Sequence, residues 1–379
     1  MWAVVCAVVV LGTGSFAARE QQSAASAGGP GGEERTFLSR VRRLTVEGKR
    51  AGEGYWSPDG KRLVFQSERD ATNPFYQIYV LDLTSGDTKR ISPGMGKTTC
   101  AFFRPNSSEI LFGSTHLDPK SLQYQKEELE FRASGKERRY AWDYDPSFDI
   151  FAFDEKSGAM KQLTNAKGYD AEAGYSHDGQ WIAFSSMRDA YNRPLTPAEQ
   201  KQLELDPSYF AEVYIMKADG TGQKRLTTEP GYDGGTFFTK DGRIVWRHFD
   251  ENGLIANVWT MKMDGTDKKQ ITDFGAMSWA PYEHPSREYF LFASNKLGFE
   301  NFEVFMVDKA GAKEPVRITY STGFDGLPVP SPDGTQIAFT SSRAGGTGAA
   351  GQIYLAQWNH QAAMAALKAA GPRQPHTKK

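Results

Sequence analysis

Gly54-Tyr55-Trp56-Ser57-Pro58-Asp59-Gly60, continuing as Arg62-Leu63-Val64-Phe65-Gln66-Ser67 and then as Gln77-Ile78-Tyr79-Val80-Leu81-Asp82, reads as strand, turn, strand, strand. Proline presets φ at the first turn position, aspartate bonds the local backbone, and glycine takes the left-handed position that a Cβ disfavours. The runs on either side are short and rich in Val, Ile, Phe, Tyr and Trp, the composition of half-buried antiparallel strands. The turn returns as Ser176-His177-Asp178-Gly179, Thr239-Lys240-Asp241-Gly242 and Ser331-Pro332-Asp333-Gly334. Arg104-Pro105-Asn106-Ser107 and His284-Pro285-Ser286-Arg287 occupy the same place without the glycine, which predicts looser or longer turns there. A second turn precedes each closing strand, at Asp82 to Gly86, Asp154 to Gly158, Ala218-Asp219-Gly220, Met263-Asp264-Gly265 and Asp308 to Gly311.

Each unit closes on a branched aliphatic followed by a hydroxyl residue: Ile91-Ser92, Leu163-Thr164, Leu226-Thr227, Ile271-Thr272 and Ile318-Thr319. A further copy, Leu44-Thr45, has no repeat in front of it, and the unit that begins near Gly326 stops at Trp358 without a closing strand. The orphan and the vacancy match if the units form a ring. Four short strands per unit, at a period of roughly 45 residues, therefore predict an all-β six-bladed β-propeller in which the N-terminal strand completes the last blade. Closure also removes free sheet edges.

The predicted propeller covers residues 37–358, with two insertions. Insertion 117–148 contains a helix-forming run from Ser121 to Arg132. Insertion 189–211 carries a helix start, with Thr196 as cap, Pro197 in the first turn and Glu199 three residues after the cap. The insertions hold equivalent places in their units, so both are expected at one rim, where they would shape a binding mouth.

Residues 1–17 read as a secretory signal peptide: a short apolar run from Trp2 to Leu11, then Ser15 and Ala17 as a small-x-small cleavage site. The run is too short to span a bilayer, so no stable membrane insertion is expected once it is removed. Residues 18–36 read as a disordered linker, and 359–379 as a short alanine-rich helix around Ala362 to Ala370 with a disordered tail. Cys6 would leave with the signal, so Cys100 is expected as a lone buried structural thiol. A net charge of −1 gives no bulk electrostatic signal for nucleic acid or an anionic membrane.

Gly323-Phe324-Asp325-Gly326 running into Ser331-Pro332-Asp333-Gly334, with Ala218-Asp219-Gly220-Thr221-Gly222 and Lys224-Arg225-Leu226-Thr227, resembles the repeats of the TolB-type β-propeller. The resemblance covers Phe37 to Trp358 and implies a periplasmic, partner-binding propeller that lacks the N-terminal α/β domain of TolB. Similar repeats also form the propeller halves of prolyl-oligopeptidase-like serine peptidases, whose hydrolase half has no counterpart here.

No catalytic motif emerges. Gly174-Tyr175-Ser176-His177-Asp178 lacks the last glycine of a nucleophile elbow and coincides with a repeat turn; its adjacent Ser, His and Asp cannot converge as a triad. There is no His-Glu-x-x-His, paired-cysteine motif or phosphate-cradling loop. Acids recur where each unit enters its innermost strand: Glu53, Asp170 with Glu172, Asp233 and Asp325. If they converge on the axis, they would bind a cation or basic group, or raise one another's pKa; if they do not, each caps its own loop. A basic series follows the second strand: Arg69, His116, Arg188, Arg247 with His248, Lys296 and Arg343. It either pairs with the acids or a neighbouring blade, or lines a mouth for an anionic group.

The expected function is a secreted or periplasmic, non-catalytic module that holds an envelope protein, peptide or glycan at the axial mouth. No cofactor is expected. The alternatives are an accessory propeller for a separate peptidase and a metal-dependent polysaccharide lyase-like enzyme. The latter would hold a divalent cation in the channel, for which His116, His248 and His284 are the histidines to watch.

Overall fold

A computed structural model describes residues 30–136, 143–345 and 349–376. The predicted signal peptide lies outside them. Six antiparallel four-stranded sheets are formed. Each packs on the next and the sixth on the first, giving the predicted ring. From axis to rim, blade 1 runs Arg50–Trp56, Arg62–Glu68, Gln77–Asp82 and Thr88–Arg90. In blade 6 the three strands Asp325–Pro330, Gln336–Ser341 and Gln352–Trp358 are joined on the outside by Leu38–Arg43. Leu38 pairs with Trp358 and Arg43 with Tyr354, so the head of the chain completes the blade made by its tail.

The aliphatic-hydroxyl signature has a physical cause in all six blades. The hydroxyl accepts a backbone N–H from the start of the third strand, Ile78 to Ser92, Ile150 to Thr164, Val213 to Thr227, Val258 to Thr272 and Val304 to Thr319, at 2.8–3.0 Å. The orphan copy does the same across the closure: Ile353 donates to Thr45 at 2.9 Å, and the Thr45 hydroxyl donates to Gln352 at 2.7 Å. One small side chain satisfies an amide that the short outer strand no longer reaches.

Three expectations are corrected. The two turns without glycine are neither looser nor longer: Arg104 donates to the Glu109 carbonyl at 2.9 Å and His284 to that of Tyr289 at 3.0 Å, the span seen between Ser57 and Arg62. Asn106 and Arg287 adopt the left-handed conformation instead, with φ of 57° and 69°. The end of the expected linker is helical over Pro30–Phe37, and Glu34 is held by Arg343 at 2.9 Å. The expected tail is tied down as far as His376, beyond the helix His360–Ala369: Arg373 donates its amide to the Ala312 carbonyl and its guanidinium to that of Ile271, both at 2.8 Å.

Candidate functional site: a blind cavity at the axial mouth

Every innermost strand carries a bulge at one equivalent place, occupied in blade order by Glu53, Cys100, Glu172, Gly235, Ala280 and Leu327. All six have positive φ, between 49° and 63°. Six-fold repetition of so restricted a conformation aims six side-chain positions at the axis, the re-aiming that bulges provide. Two positions further on, Tyr55, Phe102, Phe237 and Tyr282 meet across the channel with ring centroids 5.0–6.4 Å apart and plug it.

Above that plug lies a cavity of about 830 Å³. All six bulge residues line it. Its walls add Tyr76, Tyr144, Tyr209, Tyr232, Trp279 and Phe324, so much of its lining is aromatic. Residues of both insertions reach it, Tyr144 from one and Asp206, Ser208 and Tyr209 from the other, as their equivalent places in the repeat imply. Tyr144 stands edge-on to Tyr169 and Tyr232 at 5.3 and 5.6 Å. The predicted helices form, Ser121–Ala133 and Pro197–Leu205, the second with the full capping box of Thr196 and Glu199.

The acids divide into two sets. Glu53 and Glu172 are equivalent bulge residues on the cavity, whereas Asp170, Asp233 and Asp325 begin their strands, face the second strand of their own blade and do not line the cavity. Asp170 pairs with Arg188 and accepts from Ser186; Asp325 pairs with Arg343 at 2.8 Å; Asp233 accepts from Trp246 at 2.9 Å and meets His248 at 2.7 Å. The five acids therefore do not form one ring. Burial raises the Asp170 pKa, and Arg188 works against it.

The basic series divides too. Arg69, Arg188 and Arg343 each stand two residues after a serine, donate to its hydroxyl at 3.0–3.2 Å and lie over two aromatic rings of their blade. They are staples within blades rather than between them. His116 meets Ser114 at 2.9 Å, and Lys296 donates to the Phe274 carbonyl. Arg247 does not belong to this set. It lies within its strand, opposite Gly234, at the register position where other blades place Gln66, Ser185 and Thr340. His116, His248 and His284 stay in separate blades, and among the described residues no group of three His, Cys, Asp or Glu is placed to hold a metal.

Arg247 reaches the axis because Gly235 leaves room: a Cβ there would stand 2.1 Å from its Nη1. The guanidinium bonds Glu172 of the neighbouring blade at 3.0 Å and the Tyr232 hydroxyl at 2.5 Å, and stacks over Tyr232 and Trp279. Glu172 also accepts the Gly235 amide at 2.6 Å and a bond from the Tyr232 hydroxyl. Burial opposes the charge on Arg247, but Glu172 together with Tyr232, Tyr144 and Cys100 outweighs it, and the Arg247 pKa is raised.

Glu53 has no such partner. One carboxylate oxygen is covered and makes no hydrogen bond. Burial first, then the Glu172 charge, raises its pKa to about 7, against the lowering effects of Cys100 and Arg247. Cys100, buried beside it, has its thiol pushed well up by burial and by the charge of Glu53, as a structural thiol would.

Comparison with known proteins agrees with this architecture. No protein-family model matches the chain. A putative TolB from Agrobacterium tumefaciens superposes with a TM-score of 0.54 over 84% of this chain and 93% of its own, at 18% identity. TolB from Acinetobacter baumannii gives a TM-score of 0.51 over 82% of this chain and 64% of its own, at 13% identity. The fold is a TolB-like six-bladed β-propeller. An oligogalacturonate lyase from Vibrio parahaemolyticus shares it, with a TM-score of 0.51, 13% identity and coverage of 85% and 94%. By sequence, the uncharacterized peptidase YuxL of Bacillus subtilis is 26% identical over 153 residues, 36% of this chain but only 22% of that protein. These identities speak for the fold alone, and the fold hosts more than one function. Among the described residues, no helix is long and apolar enough to cross a membrane.

Sequence reasoning missed the inward course of Arg247 and the aromatic lining. The doublet Gly234-Gly235 was the available signal, because glycine inside a strand marks a bulge or the close approach of another group.

Proposed function

We propose that this propeller is a secreted or periplasmic, non-catalytic binding module that holds its partner, a protein, peptide or glycan, at the axial mouth. The observation that carries this reading is the aromatic cavity of about 830 Å³, blind at the plug and fringed by both insertions. Concave, mostly apolar pockets with a few convergent polar groups are the usual form of a binding site. Most buried polar groups at its base are already paired, with Glu53 Oε2 and Arg247 Nε the atoms left without a hydrogen bond, which favours recognition over turnover.

Titration calorimetry against purified envelope proteins, peptides and cell-wall fragments tests it. A saturable heat is expected with at least one of them, and Tyr209→Ala and Trp279→Ala should weaken it about tenfold or more with little change in melting temperature. Absence of heat with every partner class, or unchanged binding in both variants, would overturn the reading.

A further inference from the structure

The charges on the cavity wall are unevenly answered. Five carboxyls line it, Glu53, Glu172, Asp206, Asp250 and Glu251, against two guanidinium groups, Arg50 and Arg247. Both cations are committed: Arg50 to Glu68 at 3.1 Å, and Arg247 to Glu172. Asp206 and Asp250 are occupied with backbone amides of their own loops. Glu251 is exposed to solvent, and Glu53 keeps a covered oxygen without a hydrogen bond. An anionic ligand would have to compete with Glu172 for Arg247, whereas a cationic one would complete the buried Glu53 oxygen that makes no hydrogen bond.

The walls suit the same charge. Tyr76, Tyr144, Tyr209, Tyr232, Trp279 and Phe324 line the cavity, and Arg50 over Tyr76 with Arg247 over Tyr232 and Trp279 shows this aromatic wall already holding cations, as the negative ring quadrupole favours. The surrounding face adds a further selection. Leu117, Leu122, Leu205, Leu254, Leu297 and Phe299, each more than half exposed, all lie in connections between second and third strands, the same set of connections that supplies Tyr144, Tyr209 and Asp250 to the cavity. An aliphatic rim around an acidic aromatic hole complements a polypeptide that carries a basic residue between apolar ones better than it complements a hydroxylated sugar.

We infer that the cavity captures a primary ammonium group of a polypeptide, a lysine side chain or an amino terminus, with Glu53 as its counter-ion. This deepens the binding-module reading and rests on it. The groups facing Glu53 are Tyr55 on its own strand, Cys100 and Thr340 from the flanking blades, and Glu172 with Arg247 further round the ring. None of them supplies the missing cation, since Arg247 is held by Glu172. Burial keeps Glu53 protonated to about pH 7, so capture of an ammonium releases a proton.

The probes are 4-phenylbutylamine, 4-phenylbutanol, 4-phenylbutyrate and glucosamine, titrated calorimetrically into the intact protein. The amine should bind at least tenfold more tightly than the alcohol or the acid, and its affinity should rise about tenfold between pH 6 and pH 8 as the competent carboxylate becomes the majority form. Glu53→Gln should remove both the preference and the pH slope, with a wild-type circular dichroism spectrum certifying the fold of the variant. Preference for the butyrate, tighter binding of glucosamine, or undiminished amine binding in Glu53→Gln would each overturn the ammonium inference while leaving a working binding site. No binding of any probe would overturn it as well, whereas the wider reading depends on the macromolecular titrations.

Discussion

Asp170 and Glu172 stand two residues apart on one innermost strand and find arginines in different places. Asp170 turns to Arg188, which follows the second strand of the same blade. Glu172, thrown forward by the bulge, crosses to Arg247 of the next blade and helps to form the base of the cavity. The first pair is a repeat property: blade 6 reproduces it as Asp325 with Arg343, and blade 4 substitutes Asp233 with His248. The second occurs once, and it needs a glycine in the neighbouring blade to admit it. Pairs within a blade stabilise the unit, while the pair across blades ties units together and sets the polarity of the site.

The most severe way to separate the two is to open the ring. Deleting residues 37–47 removes the outer strand of blade 6 and the Thr45 bonds to blade 6, exposing an unpaired edge on Gln352–Trp358. Loss of more than about 5 kcal/mol is expected, enough to abolish a cooperative melt near physiological temperature. Differential scanning calorimetry with limited proteolysis checks this, and an unchanged melting temperature would contradict the closure.

Next in size is Arg247→Ala. It strands the buried Glu172 without its cation, and breaking a buried pair from one side costs about 3–5 kcal/mol. Arg188→Ala leaves Asp170 in the same predicament, but it cuts a pair within one blade, whereas Arg247 also bonds the Tyr232 hydroxyl and ties two blades, so the cost of losing Arg188 should be the smaller. Denaturant titration of the two variants ranks them, and the reverse order would mean that the cross-blade pair is not the tie proposed. Gly235→Ala comes below both. Its backbone has φ of 63°, and the new methyl would collide with Arg247, so about 1–3 kcal/mol is expected, together with displacement of the guanidinium.

The same contrast explains what was legible in the sequence. The Leu44-Thr45 orphan located the closing strand because its hydroxyl performs a local task repeated in every blade. The turn motifs fixed the hairpins for the same reason, since Ser57 and Asp59 bond each other within the turn. Alignment of the acids failed at blade 1, where Glu53 is the counterpart of Glu172 and the counterpart of Asp170 is Ala51. Arg247 lies inside the second strand of its blade, two residues before its end, whereas Arg69, Arg188 and Arg343 follow theirs. Position along the axis depends on bulges and on a neighbour's missing side chain, which are relations between units, and periodicity within one unit carries no record of them.

The smallest expected effect isolates the other bulge carboxyl. Glu53, unlike Glu172, has no arginine, so its proton follows burial rather than pairing. With a folded pKa near 7 against an ordinary value of 4.5, the native state holds this proton longer than the unfolded chain does. Its contribution to stability is therefore greatest below about pH 4.5, falls as pH rises through the window up to 7, and is constant above it. Glu212, also raised to about 7, and Asp149, raised to about 6, add slopes of the same sign, so the wild-type curve alone does not identify its source. The difference between wild type and Glu53→Gln does, because the other two carboxyls are common to both. The variant should gain on the wild type by about 1–2 kcal/mol between pH 5 and pH 8, a figure reduced for the solvent that the cavity admits. Parallel stability curves across that range would show that Glu53 is already ionised in the folded protein and is answered by a cation within it.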